Sequence, residues 1–265
     1  MRASLPMYDL PAVRAATDEW WAGLARHFRA AGLAGVPDRL ERDPAPDWTD
    51  PQLLFSQTCG YPLTHALAGR VQLVATPCYA APGCDGPRYR SALVVSAESG
   101  AQSLDDLRGA RCAINARESH SGCNVLRRMV APLADGESFF ESVIETGSHA
   151  ASIDAVAAGE ADLCAVDAVM HALLARHAPQ QLASTRVLTH SPPAPGLPYI
   201  AGPRVGATDL EHMRTAIRSA FVDPDLEIVR ATLLIDDMAV LSVEDYETVT
   251  AMERDARAMG YPELR

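Results

Sequence analysis

The chain has 265 residues, 48% of them hydrophobic, which suits one large domain or two lobes that each bury a core without staples. A formal net charge of -11 and the absence of any Lys/Arg run exclude a nucleic-acid surface, because phosphate backbones are held by clustered cations, so a small ligand is the better partner. No stretch approaches the roughly 20 apolar residues a membrane helix needs, and no membrane insertion is expected.

The opening Met1-Arg2-Ala3-Ser4-Leu5-Pro6 has no apolar signal-peptide core. Localisation therefore stays open: cytoplasmic as the sequence stands, periplasmic if a leader was removed. Ala3 to Tyr8 reads as a short strand running into a helix whose apolar set at period 3.6 includes Val13, Trp20, Leu24 and Phe28. The alternation returns in Leu53-Leu54-Phe55 before a turn at Gly60 and Pro62, in Val71 to Ala75, and in Ala92 to Val95. Short buried strands alternating with helices predict an α/β fold with mainly parallel sheets flanked by helices.

A second α/β unit begins after Ser99-Gly100. Leu104 to Leu107 is a helical turn stopped by Gly109, and Arg111 to Asn115 is a strand. A helix over Gly122 to Leu133 follows, then a strand over Phe139 to Glu145, a helix over Ser148 to Ala158 ended by Gly159, and a strand over Leu163 to Val166. Ser191 to Pro203 holds five of the 19 prolines, which forbids a helix and favours an extended crossing segment that could serve as a hinge. Helices over Asp209 to Phe221 and Val243 to Met259, separated by Leu233 to Asp236, are expected back against the first lobe. The predicted division is residues 1–95 plus 200–265 for lobe one and 96–199 for lobe two.

Six cysteines are scattered without a C-x-x-C pair, and four of them lie in apolar or small-residue surroundings that read as core. Cys78 and Cys84 are close enough in sequence to bridge, and the alternatives are a disulfide or two free thiols.

The turn Glu118-Ser119-His120-Ser121-Gly122 stands where a helix begins. Backbone N–H groups there have no internal partners and the helix dipole adds roughly half a positive charge, so an anion is held without a formal cation. Ser119 and Ser121 read either as anion donors or as plain N-caps. His149, in Gly147-Ser148-His149, opens the next helix and is either a donor to an oxyanion or an ordinary surface histidine. Asp167 ends the strand at Leu163 to Val166, at the carboxyl edge where α/β proteins place ligands, or else caps the helix that follows.

Three segments together resemble one family. They are Leu104-Asp105-Asp106-Leu107-Arg108-Gly109 with Arg111 to Asn115 and the Ser119–Gly122 turn; Gly147-Ser148-His149 through Ala155-Val156, Gly159 and Asp162 to Asp167; and Gln57-Thr58-Cys59-Gly60-Tyr61 with Tyr89-Arg90-Ser91. This pattern is similar to the phosphate/phosphite/phosphonate-type substrate-binding proteins of ABC importers. The resemblance implies a type II periplasmic-binding-protein fold, two lobes around a ligand cleft that closes by a hinge on a small oxyanion, with an ABC permease or a regulatory protein as partner.

Under that resemblance the ligand-binding candidates are Ser119, His120, Ser121, His149 and Asp167, with Trp48, Gln57, Thr58, Tyr61 and Tyr89 supplying an aromatic wall and polar donors. Two departures stand out. Trp48 occupies a loop where the family often carries Tyr, and His120 with Glu118 before it sits where many relatives have Thr or Ser, which points to a ligand less charged than phosphate or partly organic. No cofactor, metal or catalytic residue is implied, and a monomer is expected. Rival readings are a metal site begun by His120 and Cys123, for which no second pair follows; a cysteine enzyme using Cys59 with His149 as base; and a cytoplasmic ligand-sensing protein of the same fold.

Overall fold

Trp20, Trp21, Leu24 and Phe28 recur at helical spacing, and in the computed structural model, which describes residues 1–45 and 47–265, they form the buried face of α1 (Arg14–Ala30). The other principal helices are α2 (Gly60–Thr64), α3 (Val125–Ala134), α4 (His149–Ala157), α5 (Ala168–His177), α6 (Ala207–Phe221), α7 (Glu227–Thr232) and α8 (Glu247–Ala258). The strands are β1 (Arg2–Ala3), β2 (Leu53–Gln57), β3 (Gln72–Tyr79), β4 (Arg88–Tyr89), β5 (Ser91–Ser96), β6 (Arg111–Ile114), β7 (Ser142–Glu145), β8 (Leu163–Asp167), β9 (Thr185–His190), β10 (Ala194–Pro195), β11 (Tyr199–Ala201) and β12 (Ile235–Ala239).

The chain divides into two units. Unit one is Met1–Ala80, Asp85–Pro87 and Pro195–Asp245; unit two is Ala81–Cys84, Arg88–Ala194 and Tyr246–Arg265.

In unit one a five-stranded sheet runs in the order β1-β2-β11-β3-β12. Its core is aromatic: Trp21 stacks on Phe55 with centroids 5.9 Å apart, Phe28 meets Phe55 edge-on at 5.3 Å, and the Trp20 indole N–H donates to the Tyr199 hydroxyl at 3.1 Å. The strand expected over Ala3 to Tyr8 is cut to Arg2–Ala3, since Pro6 has no N–H to give a ladder. No disulfide joins Cys78 and Cys84, and burial, helped by Asp237 and Asp236, pushes the Cys78 thiol up to about 11.

In unit two the order is β7-β6-β8-β5-β9. Strands β6, β7 and β8 are joined through α3 and α4 and pair parallel, as helical crossovers require, while β5 pairs antiparallel with both β8 and β9. In unit one, among the described residues, only the β1–β2 pair is parallel. Both sheets are therefore mixed, where mainly parallel sheets were expected. The strand expected from Phe139 begins only at Ser142, because the Phe139 and Phe140 N–H groups donate to the Arg265 carbonyl instead.

The division also differs from expectation: residues 81–84 belong to unit two and 195–199 to unit one. Residues 88–95 belong to unit two, because β5 lies inside that sheet. So do residues 246–265: Ala256, Tyr261 and Leu264 are buried in one cluster with Cys112, Leu126, Phe139 and Leu163, whereas α6 packs beside α1 in unit one as expected.

Candidate functional site

Strand β6 ends at Ile114, and five residues later Ser119 adopts an extended conformation and caps the next helix, its Oγ accepting from the Gly122 N–H at 3.0 Å. The helix starts with a wide π-type turn, His120–Asn124, in which the Asn124 N–H reaches back to the Ser119 carbonyl at 3.0 Å; α3 continues it. Space is tight at Gly122. A Cβ there would lie 1.9 Å from Asn115 Oδ1 and 3.3 Å from His149 Cε1, so backbone and side chains converge tightly at this point.

Ser121 and His149 join two helix starts. Ser121 Oγ lies 2.9 Å from His149 Nε2, and His149 is the first residue of α4, capped by Ser148 through the Ala151 N–H at 3.1 Å. His149 is partly exposed as a residue, but its Nδ1 is shut away from solvent. Burial pushes the ring's pKa down to about 4, against the opposing pull of the Ala165 carbonyl. His120 is 2% exposed and is likewise held at about 4, by desolvation first and by the Arg127 charge second. Both rings are neutral at pH 7.

Behind His120 stands a buried polar chain. Asn124 Nδ2 lies 3.1 Å from His120 Nδ1 and 2.9 Å from the Val249 carbonyl, while Asn124 Oδ1 accepts from Arg127 at 2.5 Å. Arg127 also donates to the Pro262 carbonyl at 2.9 Å and lies 3.6 Å from Glu253. Sequence reasoning missed this chain, although His120, Asn124 and Arg127 fall at i, i+4 and i+7, a polar stripe on a helix otherwise buried among apolar side chains.

Unit two thus brings together Ser119, His120, Ser121 and His149. Tyr89 is buried with its ring edge-on to His120 at 6.4 Å. Asp167 acts as a cap, its Oδ1 accepting from the Val169 and Met170 N–H groups at 2.8 and 3.3 Å. The remaining candidates lie in unit one, engaged in its own structure. Gln57 gives its amide protons to the Tyr79 hydroxyl at 3.1 Å and the Leu197 carbonyl at 3.0 Å, Trp48 donates to Ser56 at 3.2 Å, and Tyr61 stacks on His65 at 3.9 Å. The Thr58 N–H donates to the Pro198 carbonyl. Cys59 and His149 fall in different units, and among the described residues no group of three or more His, Cys, Asp or Glu is gathered as a metal would need.

The family model for ABC transporter, phosphonate, periplasmic substrate-binding proteins matches residues 50–246. The chain belongs to this phosphonate-binding family. Among solved structures it is similar to a binding-protein component of an ABC phosphonate transporter from Pseudomonas aeruginosa, at 16% identity and a TM-score of 0.78 over 98% of this chain and 87% of that one. It is also similar to PhnD1 from Prochlorococcus marinus in complex with methylphosphonate, at 13% identity and a TM-score of 0.75 over 97% and 98% of the two chains. A Xanthomonas citri protein bound to chloride shares 12% identity, with a TM-score of 0.72 over 98% of each chain. Among curated proteins none matches. At these identities the structures establish the periplasmic-binding-protein fold of a phosphonate-binding family member, and no helix among the described residues is long and apolar enough to cross a membrane.

Proposed function

We propose that this protein is the solute-binding component of an ABC-type uptake system for a small phosphonate or related oxyanion, held at the joined helix starts of unit two. The Ser121–His149 hydrogen bond, 2.9 Å long, carries the reading. It brings the two helix openings to one place, where backbone N–H groups and positive dipole ends attract negative charge. In this reading the donors are neutral: the Ser121 hydroxyl, which turns to the ligand from His149 Nε2, the imidazole N–H of His120, and backbone N–H groups of the turn, while His149 keeps its own N–H on the Ala165 carbonyl and orients Ser121.

The lack of a formal cation in that donor set favours an anion of modest charge, an organic phosphonate ahead of a fully ionised phosphate. The protein acts as a carrier that hands its ligand to a permease in the periplasm, and performs no chemistry on it. Calorimetric titration with methylphosphonate, phosphite, phosphate, sulfate and acetate tests the assignment. Micromolar or tighter binding of a phosphorus oxyanion, with acetate far weaker, is the expected result. A panel in which nothing binds more tightly than millimolar overturns it.

A further inference from the structure

We infer that Asn124 is a positioning residue that fixes His120 in its Nε2–H tautomer, held in turn by Arg127 and the C-terminal segment. The inference rests on the oxyanion reading only for what the Nε2–H is used for; the tautomer itself follows from the hydrogen bonds.

Arg127 has donors and no acceptor, so the Asn124 oxygen, not its nitrogen, must face Arg127 at 2.5 Å. That leaves the Asn124 nitrogen, with two protons and no acceptor capacity, toward the Val249 carbonyl at 2.9 Å, which can only accept. Its second proton is directed at His120 Nδ1, 3.1 Å away. His120 Nδ1 is therefore an acceptor, and the single proton of the neutral ring resides on Nε2. Protonating Nδ1 would set two donors against each other.

The charged groups around the ring point the same way. Arg127, 7% exposed, faces it from α3 with Glu253 of α8 3.6 Å beyond, while the ring of Tyr89 covers another side. Desolvation and the Arg127 charge both disfavour the imidazolium. His120 is thus a fixed hydrogen-bond donor that keeps its proton, the role a Thr or Ser hydroxyl would fill in such a turn but without a hydroxyl's freedom to accept. An oxyanion wants donors only. Val249 and Pro262, whose carbonyls anchor Asn124 and Arg127, lie outside the sequence neighbourhood of the turn, so the C-terminal segment sets the polarity of a residue more than a hundred positions earlier.

Nitrogen NMR of ¹⁵N-histidine-labelled, ligand-free protein reads the tautomer directly, with the His120→Gln spectrum identifying the signals. The expected wild-type pattern is a single neutral Nε2–H form at pH 7 that persists to pH 5. An Nδ1–H pattern, a mixture in exchange, or an ordinary titration near pH 6.5 overturns the inference. In Asn124→Leu the ring should become a mixture of tautomers and methylphosphonate affinity should fall about tenfold, the loss of one oriented hydrogen bond to an anion; a folded Asn124→Leu protein that keeps a pure Nε2–H ring also overturns it. Should that variant fail to fold, the wild-type spectrum still decides. Failure of the wild type to bind methylphosphonate or any other oxyanion would instead sink the proposed function and leave the tautomer assignment standing.

Discussion

Ser121 Oγ and His149 Nε2 are 2.9 Å apart, one on the π-type turn that leads into α3 and the other at the first position of α4. Ser119, two residues earlier, does the capping. The two serines can therefore be told apart by experiment. Ser121→Ala removes a donor beside His149 without uncapping the helix. It should cost about 1.5–3 kcal/mol of oxyanion affinity, the range for hydrogen bonds to charged groups, together with about 1 kcal/mol of stability for the lost bond to His149. Ser119→Ala should lower stability by about 1 kcal/mol as a lost cap does. Calorimetry and thermal unfolding of both variants check this, and a Ser121→Ala protein that loses stability and keeps its affinity would make Ser121 purely structural.

The two buried histidines predict a pH dependence of stability. Each ring titrates at about 4 when folded and near 6.5 when unfolded, so between those values the unfolded chain binds more protons. Stability must rise with pH across this window and be lost as pH falls from 6.5 toward 4. The full shift is about 3 kcal/mol per ring, of which about 2 kcal/mol is lost between pH 7 and pH 5. Urea unfolding at those two pH values isolates one ring: the wild type should lose about 2 kcal/mol more than His149→Gln, whose side chain does not titrate. Equal losses would mean that the His149 ring is solvated in the folded protein.

The α/β elements were legible in the sequence where period and punctuation agreed. Trp20, Leu24 and Phe28 gave α1, Gly109 and Gly159 gave helix stops, and Ser148 marked the start of α4 to within one residue, because each of these signals acts within a few residues. What escaped was non-local. Nothing near Phe139 says that its N–H will meet the Arg265 carbonyl, so the start of β7 was placed too early. Nothing near Glu253 says that it will face Arg127, so α8 was assigned to the wrong lobe. The site divides the same way. The Ser119–Gly122 turn and His149 were readable as helix starts, whereas Gln57 and Trp48 carry ligand-like side chains whose donors go to Tyr79, Leu197 and Ser56 inside unit one. Donor chemistry can be read from residue type, but its recipient is set by tertiary contacts.

The C-terminal segment is an integral part of unit two, and cutting it should show. A chain ending at Asp245 loses Ala256, Tyr261 and Leu264 from the core, the Val249 and Pro262 carbonyls from the polar chain, and Glu253 from beside buried Arg127. Leaving a buried charge without its partner costs about 3–5 kcal/mol by itself, a large share of a typical domain's stability. Hydrogen exchange of the truncated chain should find amides of β6 and β8 exchanging rapidly while those of β2 and β3 in unit one stay protected. Protection of β6 and β8 equal to that in the full chain would show that unit two does not need the segment.

Gly122 gives the most local test of how tightly the turn is built. A Cβ at this position would approach Asn115 Oδ1 to 1.9 Å and Asn115 Cγ to 3.0 Å, with His149 Cε1 at 3.3 Å on the other side. The Gly122 backbone has no positive φ, so the obstacle is space and not conformation. Gly122→Ala must push Asn115 aside, and a methyl group forced into a packed interior costs about 1–3 kcal/mol. The displaced groups include the His149 ring, so the Ser121–His149 bond lengthens and oxyanion affinity should fall about tenfold or more alongside the stability. Asn115→Ala in the same chain removes the main clash. The double variant should recover most of the lost melting temperature but only part of the affinity, because the methyl group still stands 3.3 Å from His149 Cε1. A single Gly122→Ala variant as stable and as tight-binding as the wild type would show that the turn has slack and that its close approach does not serve the site.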